Sequence, residues 1–354
     1  MMDAAASTLD RTAAYLDMQK AVAAWAVMLT DATRVAVHGQ WQVLDSGPGA
    51  VTDGARAVID PEALLLVSLW LIPRDTAVGA TVHAWVARWS DLLSVQRTRN
   101  IAKAFPDDAQ HQLRAVAVTA HERGKDFRWS PVINSRGSAL RTGDDESARP
   151  STHDTPTGAP QERLAVAHDA MQVLRFRMAF GVGVRADALA FLLARGSAWS
   201  TVTEIALATG YTPSAIRRAL DRMAEAEIIR MLDDGATRYR CDPASWAVLL
   251  GISDPVAPWQ YWLQRFTFIT RFVEWADGVA KRKLTAYAMM EGLRSIARTF
   301  RPTDDREAVR VWDHAFRDGS TLPEMGEALA GLAAQLELFS HFEGPSSPLR
   351  SSES

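Results

Sequence analysis

The sequence predicts a mainly α-helical protein that contains one short β-hairpin. Apolar residues recur at helical spacing between residues 13 and 123 and again after residue 259, whereas strand-like alternation is confined to residues 228–241. The chain has 354 residues, which is enough for two or three folded domains. Hydrophobic residues make up 47% and charged residues 23%, a balance that excludes a chain disordered throughout.

An N-terminal helical domain is predicted over residues 1–134. Asp60, Pro61 and Glu62 form a strong helix start, with an N-cap, a proline in the first turn and an acid near the positive end of the helix dipole. The SGPG motif predicts a loop over 39–54. Apolar spacing predicts helices at 13–30, 63–71, 75–93 and 108–123.

The remaining domain boundaries follow from composition. Residues 135–161 are dense in Ser, Thr, Gly, Pro and Asp and predict a flexible linker, and the tail at 344–354 is predicted to be disordered. A folded domain at 162–252 and a helical C-terminal domain at 253–343 complete the chain. The aromatic residues between Trp259 and Trp275 suit either a buried helix core or dimer interface, or a pocket for a small apolar effector.

Three short helices are predicted over residues 185–225, and a tight turn joins the last two. Thr201 and Glu204 have the spacing of a capping box at the start of the second helix. Gly210 suits the turn because glycine adopts positive φ without a steric penalty. Thr212, which is followed by proline, is the N-cap of the third helix. Two short helices joined in this way form a helix-turn-helix.

The third helix is amphipathic, and its apolar positions include Ile216, Leu220 and Met223. An exposed helix that carries three arginines can enter the major groove of DNA, where arginine reads guanine or holds phosphates. The outward face is predicted to carry Ser214, Arg217, Arg218, Asp221 and Arg222.

A β-hairpin is predicted directly after this helix. Arg238 and Arg240 alternate with Tyr239, so both arginines share one solvent-facing side of the return strand. The hairpin consists of strands at 228–232 and 237–241 around the turn residues Asp233, Asp234 and Gly235.

The stretch from Leu189 to Cys241 resembles the winged helix-turn-helix of MarR-like and ArsR-like bacterial transcriptional regulators, and the resemblance covers residues of about 175–241. The resemblance implies sequence-specific binding of double-stranded DNA by a homodimer whose recognition helices read a palindrome, in the manner of a repressor. The DNA-binding residues that it implies are Thr212, Ser214, Arg217, Arg218 and Arg222 in the recognition helix, with Arg238 and Arg240 in the wing.

The charge distribution agrees with this interpretation. The chain has a net charge of −3, yet residues 175–241 contain ten arginines and seven acidic residues, an excess of three positive charges. Arg175 and Arg177 are predicted either to add phosphate contacts or to be solvated. The acidic residues of the same segment dilute the positive field, and they leave open a second interpretation in which the winged helix binds a protein.

No catalytic, cofactor-binding or metal-binding residues are predicted, and we expect a DNA-binding protein rather than an enzyme. The eight histidines are scattered, and the single cysteine, Cys241, excludes an internal disulfide and fits a reducing cytoplasm. The N-terminus lacks the pattern of a signal peptide, and the longest apolar stretch, Ala63 to Ile72, is too short for a membrane span. We therefore expect a soluble cytoplasmic protein without a membrane partner. Whether a small-molecule or protein effector acts on it stays open.

Two alternatives remain at this stage. In the first, the winged helix is an antitoxin-type or protein-interaction component of a toxin–antitoxin or phage-defence operon. In the second, an enzyme lies hidden in the helical regions and the winged helix regulates it. Salt-dependent binding to DNA distinguishes a DNA regulator from both.

Overall fold

The computed structural model describes residues 2–46, 56–134, 164, 166, 168–251, 257–282, 284–302 and 306–339. The predicted linker at 135–161 and the predicted tail at 344–354 lie outside these residues. The described residues are mainly α-helical and contain one small antiparallel sheet, which confirms the predicted fold class at this level.

The described residues contain fifteen α-helices and three strands. The N-terminal helices are α1 (Met2–Asp45), α2 (Pro61–Leu71), α3 (Thr76–Trp89), α4 (Val95–Ala102), α5 (Asp107–Glu122) and α6 (Ser130–Ile133). The middle of the chain forms α7 (Gln172–Phe180), α8 (Val184–Ala194), β1 (Ser200–Thr201), α9 (Val202–Thr209), α10 (Pro213–Glu225), β2 (Arg230–Asp233), β3 (Thr237–Arg240) and α11 (Pro243–Leu250). The C-terminal helices are α12 (Trp262–Lys281), α13 (Ala286–Ala297), α14 (Arg306–Ala315) and α15 (Leu322–Leu338).

Local signals in the sequence place the start of α2 correctly and the end of α1 wrongly. The Asp60 carboxylate accepts a hydrogen bond from the Ala63 N–H at 3.1 Å, so Asp60 is the N-cap that its sequence predicts. The loop predicted over 39–54 is wrong at its start, because α1 continues to Asp45. Trp41 and Leu44 are buried there, and their packing holds the last turns of α1 in the core.

The N-terminal and C-terminal helices share one hydrophobic core. Helix α1 packs against α12 and α15, and α2 packs against α5 and α12. The separate domains predicted at 1–134 and 253–343 are therefore joined in the structure, because apolar faces far apart in sequence cover each other. We call α1 to α6 together with α12 to α15 the helical body.

The middle of the chain, residues 168–251, has a second hydrophobic cluster around α8, α9 and α10. Its sheet has the strand order β1-β3-β2, with β3 antiparallel to both neighbours. We call this segment the central unit. The aromatic residues that follow it lie in the two cores, as one of the two sequence interpretations predicted, because Trp259 packs against Phe191 and Trp262 stacks on Phe266.

Candidate nucleic-acid interface

The α9–α10 turn forms as the sequence predicts. The Thr201 hydroxyl accepts from the Glu204 N–H at 3.2 Å, and the Glu204 carboxylate accepts from the Thr201 N–H at 2.7 Å, which is a capping box. Gly210 ends α9 with a φ of 71°, in the left-handed region that favours glycine. Thr212 then caps α10 by accepting from the Ala215 N–H at 3.3 Å. The predicted caps and turn glycine are confirmed.

An apolar strip fixes α10 from behind. Ile216 and Leu220 are fully buried and Met223 is 5% exposed, and all three belong to the cluster that contains Ile205 and Ala206 of α9. Complete burial of a side chain of this size stabilises the fold by about 1.5–3 kcal/mol. Because this side of α10 is buried, the opposite side of the helix faces solvent.

The predicted recognition residues lie on that solvent-facing side. The exposed guanidinium of Arg222 donates to Glu225 at 2.9 Å, and an ion pair in solvent of this kind is weak and easily exchanged. The five exposed residues are Thr212, Ser214, Arg217, Arg218 and Arg222.

Asp221 does not face outward as predicted. It is half-buried and accepts a hydrogen bond from the Tyr239 hydroxyl at 2.5 Å. Burial, followed by the hydrogen bond with Asp221, raises the pKa of Tyr239 to about 12, so the hydroxyl remains the proton donor. The bond ties α10 to β3, which aligns the hairpin with the helix.

The two predicted wing arginines lie on a different face from the α10 residues. Side chains alternate along β3, and Tyr239 points inward, so Arg238 and Arg240 project from the opposite face of the sheet. Arg238 is bonded to Asp234, and the guanidinium of Arg240 stacks 4.6 Å from the ring centroid of Trp199. The structure thus places the five predicted residues on the exposed side of α10 and its N-cap, and the two wing residues on the face of the sheet opposite Tyr239.

No family model, curated protein or solved structure matches this chain.

A second charged cluster lies where the central unit meets the helical body, and sequence reasoning missed it. Arg177 donates to Glu62 at 2.6 and 2.9 Å, and to Asp187 at 2.8 and 2.7 Å. Arg97 donates to both Asp60 oxygens at 2.6 Å and also to Glu62. We call the six residues of this cluster the junction network: Asp60, Glu62, Arg97, Arg177, Asp187 and Tyr211.

The junction network is buried, and its hydrogen bonds are satisfied. Its five charged residues are at most 2% exposed. Arg177 also donates to the Leu92 carbonyl at 2.8 Å, and Glu62 accepts from the Ser94 N–H at 2.7 Å. Such pairing is what allows charges to remain in a medium that solvates them poorly.

The charges of the network hold one another ionised. Burial alone would raise the pKa of Glu62, but Arg177 and Arg97 outweigh burial and lower this pKa to about 2. Burial alone would lower the pKa of Arg177, but Asp187 and Glu62 outweigh it and raise that pKa. Glu62 and Arg177 therefore remain ionised near neutral pH.

The structure corrects both interpretations of Arg177, which is neither solvated nor available to phosphate. Arg175 is half-buried and donates to the Leu250 carbonyl. Removing Arg177 and Asp187 from the charge count leaves nine arginines against six acids, so the positive excess of three over residues 175–241 is unchanged. The only sequence signal of burial was the position of Arg177 among apolar neighbours such as Phe176.

Three further features concern the single cysteine, metal binding and membrane spans in the part of the chain that the structure describes. Burial raises the pKa of Cys241 to about 12, so its thiol is a poor nucleophile. The described residues contain no group of three or more His, Cys, Asp or Glu side chains placed to hold a metal ion. Among the described helices, none is both long enough and apolar enough to cross a bilayer.

Proposed function

We propose that this chain binds double-stranded DNA through α10, and that α8 to α10 with the three strands form a winged helix-turn-helix. The proposed protein is a repressor-like transcriptional regulator that acts as a homodimer in the cytoplasm. The observation that carries the proposal is the exposed face of α10, where three arginines project from a helix that is anchored by a buried apolar strip. Such a helix presents donors to base edges and phosphates.

Two further observations support the proposal. The first is the chain order of helix, strand, helix, helix and two strands, with the sheet order β1-β3-β2, which supports the proposed winged helix-turn-helix. The N-terminus of α10 is exposed at Thr212 and Ser214, so a phosphate or base edge can approach the helix end that carries a positive dipole.

A protein partner is the second candidate function, and the pairing of the surface charges favours it. Arg222 is bonded to Glu225 and Arg238 to Asp234, so two of the predicted DNA-binding arginines already have acidic neighbours. A protein surface with mixed charges would meet this pattern better than DNA would. The candidate partner is the toxin or another component of a toxin–antitoxin or phage-defence operon.

The test is DNA binding by the full chain, with a sequence selected from a random duplex library and with an unrelated duplex. Fluorescence anisotropy at several salt concentrations should give an affinity that falls with salt, by a logarithmic slope of about −0.9 for each phosphate neutralised. Arg217→Ala and Arg218→Ala should each weaken the specific complex by about 1–3 kcal/mol.

Arg301→Ala is the matched control, because Arg301 is an exposed arginine of the helical body that pairs with Asp313. This control should bind DNA as the wild type does. Equal losses in all three variants, or a selection that enriches no sequence, would contradict DNA binding through α10. A stable complex with an operon neighbour that Arg217→Ala and Arg218→Ala disrupt would support the protein-binding function instead.

A further inference from the structure

We propose that the junction network is a positioning device that fixes the orientation of α10 on the helical body, with Arg97 as its central residue. Arg97 lies on α4 of the helical body and is 2% exposed. Its Nε donates to the carbonyl of Thr209 at 2.6 Å, and Thr209 is the last residue of α9. The buried Arg97 of the body therefore holds the end of α9, immediately before the turn that sets the direction of α10.

Each residue of the α9–α10 turn is held separately. Thr209 is bound by Arg97 through its carbonyl, and the Tyr211 hydroxyl donates to Asp187 at 2.9 Å. A Cβ placed on Gly210 would lie 2.8 Å from a methyl carbon of Ile101 and 2.9 Å from one of Leu263. The turn thus contacts α4, α8 and α12 within three consecutive residues.

The contacts leave the turn little freedom, because they differ in kind and in direction. A fork of charged hydrogen bonds has a fixed geometry, and a backbone packed against two methyl groups cannot slide. Thr212, the N-cap of α10, follows directly. Movement of α10 away from the body would leave the buried Arg97 Nε–H without its acceptor on Thr209, and an unpaired buried donor of this kind is costly.

Two members of the network, Arg97 and Tyr211, connect it to the turn. The carboxylates of Asp60 and Glu62 pair with guanidinium groups of the body and of α7. Arg97 donates its Nε–H to the carbonyl of Thr209 at the end of α9. Tyr211, in the turn, donates its hydroxyl to Asp187. These two bonds are the direct links from the network to the turn.

The consequence for DNA binding rests on the proposed function. A fixed α10 presents all of its arginines in one orientation, so their contacts with the bases can form at the same time. Loosening α10 should reduce the discrimination between sequences and leave phosphate attraction unchanged, because only base contacts depend on register. Arg97 and Tyr211 are then positioning residues for the readout, although neither would touch DNA.

The experiment uses Arg97→Lys, which keeps the charge and loses the fork, and Tyr211→Phe, which removes one hydroxyl. Arg128→Lys is the matched control, because Arg128 makes a similar fork to Asp126 away from the turn. In the full chain, spin labels on Glu225→Cys in α10 and His111→Cys in α5 report the orientation of α10. Both positions are exposed, and the native Cys241 is buried.

We expect the distance distribution between the labels to broaden in Arg97→Lys and Tyr211→Phe and to stay narrow in Arg128→Lys. In Arg97→Lys, the ratio of specific to nonspecific DNA affinity should fall about tenfold, which is the effect of losing one base contact made by α10. The salt dependence of nonspecific binding should be unchanged. If Arg97→Lys does not fold, Tyr211→Phe decides alone.

A distribution as narrow as that of the wild type in the folded variants would overturn the positioning role. The proposed function fails separately, if the wild type binds no duplex at any salt concentration. In that case the label distances still decide whether the network fixes α10.

Discussion

Arginine has opposite roles in two regions of this molecule. At the junction between the central unit and the helical body, Arg97 and Arg177 are buried and every bond that they make is to a fixed acceptor. On α10, Arg217 and Arg222 are exposed, and Arg222 pairs with the exposed carboxylate of Glu225. The difference teaches that the sign of a charge does not assign its role, whereas its burial does. A buried arginine defines where a helix sits, and an exposed one is available to a ligand.

The most direct test of this difference is to replace one arginine of each region by methionine and to compare the losses of stability. Arg177→Met should destabilise the protein by about 3–5 kcal/mol, because Glu62 and Asp187 lose a buried counterion. Arg218→Met should change the free energy of unfolding by less than about 0.5 kcal/mol. Urea unfolding monitored by far-ultraviolet circular dichroism measures both. Similar costs for the two variants would show that the junction is not buried in solution.

Acid should weaken the junction through Glu62. The pKa of Glu62 is lowered from 4.5 to about 2, so its ionised form stabilises the fold, fully so above pH 4.5, and this stabilisation is lost as the pH falls toward 2. Glu62→Gln should therefore be much less stable than the wild type at pH 7, with a gap that narrows between pH 4.5 and 2. Urea unfolding of both proteins across this range tests the prediction. A gap that is independent of pH would mean that Glu62 is not held ionised by the arginines.

Backbone packing at the junction should matter less than its charges but more than any surface contact. Gly210→Ala should cost about 1–3 kcal/mol, because the new Cβ meets Ile101 and Leu263 and the backbone keeps its φ of 71°. The matched control is Gly331→Ala in α15, where a Cβ meets nothing within 4 Å. That control should be neutral or stabilising by up to about 1 kcal/mol. Thermal unfolding measures the stability of both variants. Equal melting temperatures would show that the turn at Gly210 is not packed against the helical body.

The smallest effect on stability is expected on the exposed face. Arg222→Ala removes an ion pair with Glu225 in solvent and should cost less than about 0.5 kcal/mol. The same variant should weaken DNA binding, whereas Arg298→Ala, which removes an exposed pair with Glu291, should change neither property. Unfolding and anisotropy measurements on the two proteins separate stability from binding. A large loss of stability in Arg222→Ala would mean that this arginine has a structural role.

Sequence reasoning succeeded where the cause of a feature lies within a few residues. Helix caps such as Thr201 and Thr212, the turn at Gly210 and the apolar strip of α10 are local, and each was predicted. It failed where the partner is remote: Glu62 and Arg177 lie 115 positions apart, and nothing near either residue indicates the other. The Asp60-Pro61-Glu62 motif was interpreted as a helix start, which is correct, yet its two carboxylates also hold the junction together. Local pattern cannot show a second role of this kind.

The packing of α1 against α15 makes the central unit an insertion. Residues 168–251 leave the helical body and return to it, so the body is discontinuous in sequence. A fragment cut from the middle of the chain would leave Asp60 and Glu62 behind without Arg177, and a fragment that stops at residue 251 would remove α12 and α15 from α1. Dissection by truncation is therefore the wrong tool for this chain, and point substitution in the full-length chain is the right one.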